Sequence, residues 1–288
     1  MSVFTQFDGL HAVAGLLVGV LVGLTGVGGG SLMTPVLVLL FGVNPQTAVG
    51  TDLLYASLTK AVGTGVHGWR ETVDWKIVRR LAGGSVPAAA LTLMVLAHYG
   101  PVAKHTTSII LVVVAVMLFL TSISVFFRNN LIRWARRHHV EEARDVLWQT
   151  VLLGAVLGVA VTVSSVGAGA IGVTVLLVLY PQLPIARIVG SDIAHAVPLT
   201  LVSGLGHWLI GDINFTLLGN LLIGSIPGVI FGSLLSTRAS DNWLRPVLAC
   251  VLVISGWQLM VKATAPAKKA TAAATTAPGA VDKAAGPH

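Results

Sequence analysis

The sequence predicts an all-α, polytopic membrane protein made of two inverted repeats. Each repeat is a broken or re-entrant hairpin followed by three full transmembrane helices. Three observations lead there. Composition comes first: 55% hydrophobic, 10% charged and a mean hydropathy of +0.85 leave too little polar surface to cover a globule in water, so lipid is the solvent. The second is duplication. Val49-Gly50-Thr51-Asp52 returns without a gap 140 positions later as Val189-Gly190-Ser191-Asp192, His67 as His207, Thr34 as Thr174, and Gly84-Ser85-Val86-Pro87 as Gly224-Ser225-Ile226-Pro227. The third is a change of side by the basic loops. Arg70, Lys76, Arg79 and Arg80 follow the third segment of the first half, whereas the matching loop, Gly211 to Phe215, carries Asp212 and no Lys or Arg. Basic loops face the cytoplasm, so an odd number of crossings separates the halves and the repeats are inverted.

Each half holds five apolar segments, at 10–24, 31–42, 49–68, 81–97 and 107–127, then at 148–164, 170–180, 189–210, 217–235 and 243–261. The last three of each set are long enough to cross a hydrocarbon core of about 30 Å. The first two are shorter: 31–42 makes a helix of only about 18 Å. Glycine- and serine-rich runs, Thr25 to Ser31 and Ser164 to Ala170, separate them, which places a bend inside the membrane. The chain divides into a first transmembrane repeat (1–127), a basic cytoplasmic loop (128–147) with Arg128, Arg133, Arg136, Arg137 and Arg144, a second repeat (148–262), and a tail (263–288) of Ala, Thr, Pro, Lys and Gly expected to be disordered. Lys262, Lys268 and Lys269 argue for a cytoplasmic C-terminus, against the two-repeat topology.

The net charge of +7 sits largely in short loops and the tail, so it marks membrane topology and no nucleic-acid partner. Cys250 is alone, which excludes a disulfide framework and a thiolate metal site; no metal or cofactor is expected. The N-terminus lacks a basic n-region and a cleavage site, so 10–24 is expected to be mature structure.

Several residues are candidates for chemistry. Gly28, Gly29, Gly30 and Ser31 lead into a helix with Pro35 in its first turns; Ser164, Ser165, Gly167 and Gly169 do the same in the second half. Exposed N–H groups at such helix starts bind anions, and the missing Cβ lets a ligand approach the backbone. The competing interpretation is helix packing by small residues. Lys60 stands mid-segment, about 12 Å from either interface; it draws in an anion, exchanges a proton, or snorkels. Asp52 and Asp192 are expected to act as helix N-caps beside Thr51 and Ser191, a shared-proton dyad being the alternative. Asp192 and His195, three residues apart on one helix face, and Lys60 are the candidates for proton coupling. His67 and His207, next to Trp69 and Trp208, read as interfacial anchors. No catalytic residue is assigned.

The run Gly26 to Pro35 (GVGGGSLMTP), Asn44-Pro45, Ala48 to Asp52 (AVGTD), His67-Gly68 and Val73-Asp74-Trp75 resemble the TauE/SafE group of sulfite exporters. The resemblance covers about residues 10 to 260. It implies a multi-pass carrier of small anions in the bacterial inner membrane, with sulfite, sulfonates and other sulfur compounds as associated substrates. Lys60, in the stretch Thr51 to Lys60, looks like a subgroup feature, and Ala168 and Ala170 depart from the triple-glycine pattern. The expectation is a secondary transporter of a small anion working by alternating access around a midplane site, with proton coupling open. The alternatives are an anion channel and an intramembrane aspartyl enzyme. The partners expected are the small anion and the lipid bilayer.

Overall fold

A computed structural model describes residues 8–25, 30–69, 72–99, 104–138, 146–235 and 241–264. Ten α-helices, and no strand, occur among them: α1 (Gly9–Thr25), α2 (Gly30–Leu39), α3 (Pro45–Trp69), α4 (Trp75–Tyr99), α5 (Lys104–His138), α6 (Leu147–Ser164), α7 (Ala170–Leu179), α8 (Ile185–Ile210), α9 (Phe215–Leu235) and α10 (Asp241–Thr264). They match the ten apolar segments one for one. The expected disordered tail lies outside the described residues from 265 on. The protein is a multi-pass membrane protein.

Six helices, α4, α5, α6, α8, α9 and α10, are long and apolar enough to cross a membrane. Five of them were expected as full spans; the sixth, α6, belongs to a hairpin. The sixth expected span, α3, has 25 residues, but Gln46, Thr51, Asp52, Ser57, Thr59 and Lys60 are buried on it. Its polar side chains meet protein instead of lipid, which is why its hydropathy is low.

Side-chain caps set the starts of α3, α4 and α9. Asn44 Oδ1 accepts the Gln46 N–H at 3.0 Å, with Pro45 in the first helical position. Asp74 and Asn214 cap α4 and α9 in the same way, through the N–H groups of Lys76 and Leu217. At the other end of α2, Lys262 Nζ donates to the Val38 carbonyl at 2.9 Å. A lysine at a helix C-terminus answers both the open carbonyls and the dipole. That contact gives Lys262 a structural role that its apparent topological signal concealed.

Packing repeats in pairs. Gly15, Gly19 and Gly23 of α1 lie against the backbone of Leu221, Ser225 and Val229 of α9, so these helices run parallel. Gly154 and Gly158 of α6 lie against Leu81 and Ser85 of α4 in the same manner. A shift of five helices along the chain turns the first pair into the second. The equivalent helices α3 and α8 cross antiparallel, with Gly204 on Leu54 and Gly63 facing Ile193. So do α5 and α10, where Ser122 Oγ donates to the Ala249 carbonyl at 3.0 Å and Gly256 rests on Ala115. Glycine lets each backbone carbonyl come close enough to replace hydrophobic attraction with dense packing, which is what drives association in lipid. The register corrects one detail of the repeat. Gly15 and Gly19 correspond to Gly154 and Gly158, at 139 positions instead of 140, because one more residue separates α6 from α7 than separates α1 from α2.

Candidate functional site

The Gly-Thr/Ser-Asp motif explains itself once α3 and α8 cross. Gly50 abuts the Asp212 carbonyl and Gly190 the Thr72 carbonyl, so each glycine makes room for a loop of the other half. The next residue ties that loop down. Thr51 Oγ1 accepts the Asn214 N–H at 3.2 Å, and Ser191 Oγ the Asp74 N–H at 2.7 Å. The third residue, Asp52 or Asp192, is fully buried.

Neither aspartate caps its helix, contrary to expectation. α3 starts at Pro45 and α8 at Ile185, so both carboxylates stand two turns inside. The apolar runs place the helix starts at 49 and 189, whereas Gln46 and Thr47 in α3 and Arg187 in α8 belong to turns that precede them. Asp52 reaches across to α2, where its Oδ2 accepts the Thr34 N–H at 3.1 Å and the Thr34 hydroxyl at 2.5 Å. The Asp192 carboxylate faces the Gly169 N–H and Gly172 at the start of α7, so no proton is shared between the two carboxylates in this geometry. The expected Asp192–His195 pair is not formed either. His195 Nε2 shares a hydrogen bond of 2.8 Å with Ser85 Oγ from α4, since the parallel packing of α4 on α8 puts Ser85 on that face.

Lys60 is buried, with 6% of its surface exposed. Its ammonium points into the protein, 3.5 Å from the Ala168 carbonyl in the bend between α6 and α7. It does not snorkel. Asp52, Asp192 and His195 all lie within its electrostatic reach, and Arg128 of α5 lies within that of Asp192. A single ammonium thus serves two buried carboxylates from opposite halves.

The bend itself is built from left-handed backbone. Ser165 caps α6 at φ 58°, Gly167 has φ 119° and Gly169, just before α7, φ 120°. Only glycine takes the last two without strain. Ser164 is occupied locally: its hydroxyl donates to the Ala160 carbonyl at 2.6 Å and accepts the Val166 N–H at 3.1 Å. Ser165 Oγ lies beside the Asp52 carboxylate, and Ser31 Oγ is buried with no hydrogen-bond partner among the described residues. Gly28 and Gly29 lie outside the described residues, and Gly30 is the first residue of α2. The bend at 165–169 meets Lys60.

The histidine expected at an interface is buried. His207 Nε2 donates to the Thr162 carbonyl at 3.0 Å and its Nδ1 faces Asp212 at 3.4 Å, because the 211–214 loop folds back over it. His67 has no described side chain. Trp75, Trp208 and Phe215 are exposed as a belt residue should be, the last two in an edge contact at 5.9 Å. Thr34, Ser85, Tyr55 and Ser225 were not singled out, although Thr34 and Ser85 stand among the repeated positions that revealed the duplication.

The family described as Sulfite exporter TauE/SafE matches residues 11–259, the full helical bundle. The chain belongs to the TauE/SafE family. Its relatives carry membrane-transporter names. The chain is 40% identical to "Probable membrane transporter protein YjnA" of Bacillus subtilis, over 85% of this chain and 97% of that protein. It is 25% identical to "Probable membrane transporter protein YdhB" of the same organism, over 85% and 96%. It is 26% identical to "Probable membrane transporter protein MJ0441" of Methanocaldococcus jannaschii, over 86% and 93%. No solved structure matches this TauE/SafE chain.

Proposed function

We propose that this TauE/SafE membrane transporter is a secondary carrier of a small anion, sulfite or an organosulfur anion, exported across the bacterial inner membrane. The observation that carries the proposal is Lys60, buried mid-helix with its ammonium at the Ala168 carbonyl. The N-terminus of α7 starts two residues further on. An ammonium, the start of a half-helix and a glycine bend bring three features that favour an oxyanion to one place. The substrate residues are Lys60, Ser165, Gly167 and Gly169, with Ser164 holding the bend's shape and Gly28, Gly29, Gly30 and Ser31 as the matching half-site.

Alternating access follows from inverted repeats. The antiparallel crossings of α3 on α8 and α5 on α10, and the exchange of the α1–α9 and α4–α6 pairs, support that relation. Asp192, His195 and Lys60 are the proton-coupling residues: two titratable groups and an ammonium from two helices, enclosed together. A channel would need none of this enclosure.

A thermal-shift screen of purified protein against sulfite, sulfate, thiosulfate, taurine and sulfoacetate tests the proposal. A binding anion at 100 times its Kd adds about 2.7 kcal/mol to stability. At least one of the sulfur anions should raise Tm at constant ionic strength, and should fail to do so in Lys60→Met. No shift with any of the five would remove the substrate class.

A further inference from the structure

We infer that His207 and Asp212 hold an exchangeable proton between them, and that this proton latches the 211–214 loop over the crossing of α3 and α8. His207 is buried in the last turn of α8. Its Nε2 stands 3.0 Å from the Thr162 carbonyl of α6, and its Nδ1 3.4 Å from Asp212 Oδ2. A carbonyl only accepts hydrogen bonds, and so does an ionised carboxylate. A neutral imidazole has a single N–H, so it serves one of these oxygens and turns a lone pair on the other. Only a second proton, on the ring or on the carboxylate, satisfies both.

The backbone puts the carboxylate there. Gly211 takes φ 94°. The Asp212 N–H returns to the His207 carbonyl at 3.0 Å, and the Gly211 N–H to that of Trp208 at 3.0 Å. This paired closure is a Schellman motif, and it folds Asp212 back over His207. The other elements around the imidazole bring it no charge. α6 offers Thr162, α4 packs Leu93 on neighbouring Gly206, and α3 offers Gly50 and Leu54, its Asp52 being bonded to Thr34 of α2. Among the described residues, Asp212 is the one charged side chain within ion-pair distance of His207.

The loop held in this way is also bound to α3. The Asp212 carbonyl abuts Gly50, and the Asn214 N–H donates to Thr51 Oγ1 at 3.2 Å. Thr162, on the other side of the imidazole, lies in the last turn of α6, just ahead of the bend that meets Lys60. One proton thus ties the loop, α3 and the end of α6 together. When it leaves, as pH rises, lone pair faces lone pair across the Nδ1–Oδ2 contact and the loop loses its hold on α8. The device is one-sided, because the first half has His67 but Thr72 where the second has Asp212. The loop carries no Lys or Arg, which puts the latch on the non-cytoplasmic face. In a carrier, its release frees that end of the α3–α8 crossing to open; this consequence rests on the proposed function, and the latch itself does not.

Amide hydrogen exchange on the purified full-length protein, with no anion added, tests the latch at about pH 5 and about pH 8, the limits of histidine's range. Rates are corrected for the intrinsic pH dependence of exchange. The 211–216 amides, that of Asn214 above all, should lose protection at least about tenfold at the higher pH, the worth of one charge-assisted hydrogen bond. The Asp74 N–H, bonded to Ser191 in the matching loop, should stay protected at both. Asp212→Asn should abolish the pH dependence by keeping the loop closed at the higher pH, since a side-chain amide donates to a neutral Nδ1. His207→Phe should leave the loop unprotected at both; if that variant does not fold, wild type and Asp212→Asn decide. Equal protection at the two pH values in wild type, or a loss that persists in Asp212→Asn, would overturn the latch. Either result leaves the carrier proposal standing, because no anion enters the measurement.

Discussion

Lys60→Met should weaken binding of the transported anion roughly 10- to 150-fold, the loss expected when a charged hydrogen-bond partner worth about 1.5–3 kcal/mol is removed. Methionine keeps most of the length and all of the packing while removing the charge. Lys60→Arg should keep part of the affinity. Because Asp52 and Asp192 both lie within reach of the ammonium, the variant also leaves buried carboxylates less compensated. Neither carboxylate is in direct ion-pair contact with Lys60, whose ammonium contacts the Ala168 carbonyl. Thermal stability should therefore fall by less than the cost of breaking a buried pair, about 3–5 kcal/mol, along with the lost binding. Adding Asp192→Asn should restore much of the stability and none of the affinity, which separates the two effects. Isothermal titration with the stabilising anion reads the one, and Tm in its absence the other. Equal affinity in wild type and Lys60→Met would make Lys60 a structural counter-ion only.

Gly169→Val should lower transport by at least about tenfold, a cost of about 1.4 kcal/mol at the site, while leaving folded protein in the membrane. At φ 120° a β-branched residue is strained by roughly 1–3 kcal/mol, within the total stability of about 5–15 kcal/mol of a typical protein. The same change at Gly42 supplies the control. That residue also has positive φ, 64°, with nothing within 4 Å of an added Cβ, and it lies in the α2–α3 loop. Gly42→Val should therefore cost stability and spare transport. Similar transport losses in both variants would reduce Gly169 to a backbone role.

Most of the fold was legible because lipid imposes one rule: backbone polar groups must be satisfied within the segment, so apolar runs become helices. The helix starts were less legible. Pro45-Gln46-Thr47 is polar, and an apolar run begins after it; the Asn44 cap before it was the signal that located the true end. Misplacing that end misassigned Asp52 and Asp192, which lie two turns inside and serve α2 and the Lys60 cluster instead. Lys60 itself stood out because a cation inside a span has few innocent explanations. Its partner could not be read, since the Ala168 carbonyl is backbone and lies 108 residues away. Trp208 drew His207 to the interface on paper, although its helical neighbour turns inward to Thr162. Ser85, Thr34 and Ser225 were recoverable. They recur in both halves as polar residues in apolar helices, a recurrence that marks function as well as duplication.

The central claim is that a small anion is carried, one at a time, past Lys60 and the α6–α7 bend. Counterflow in proteoliposomes tests it most directly. Vesicles loaded with the unlabelled anion that stabilises the protein are diluted into a trace of the labelled one, with no pH or sodium gradient. The account predicts a saturable, transient accumulation of label, present in wild type, absent in Gly169→Val and right-shifted in concentration in Lys60→Met. Flux that grows linearly with concentration and shows no accumulation, or unitary currents in the same membranes, would contradict it.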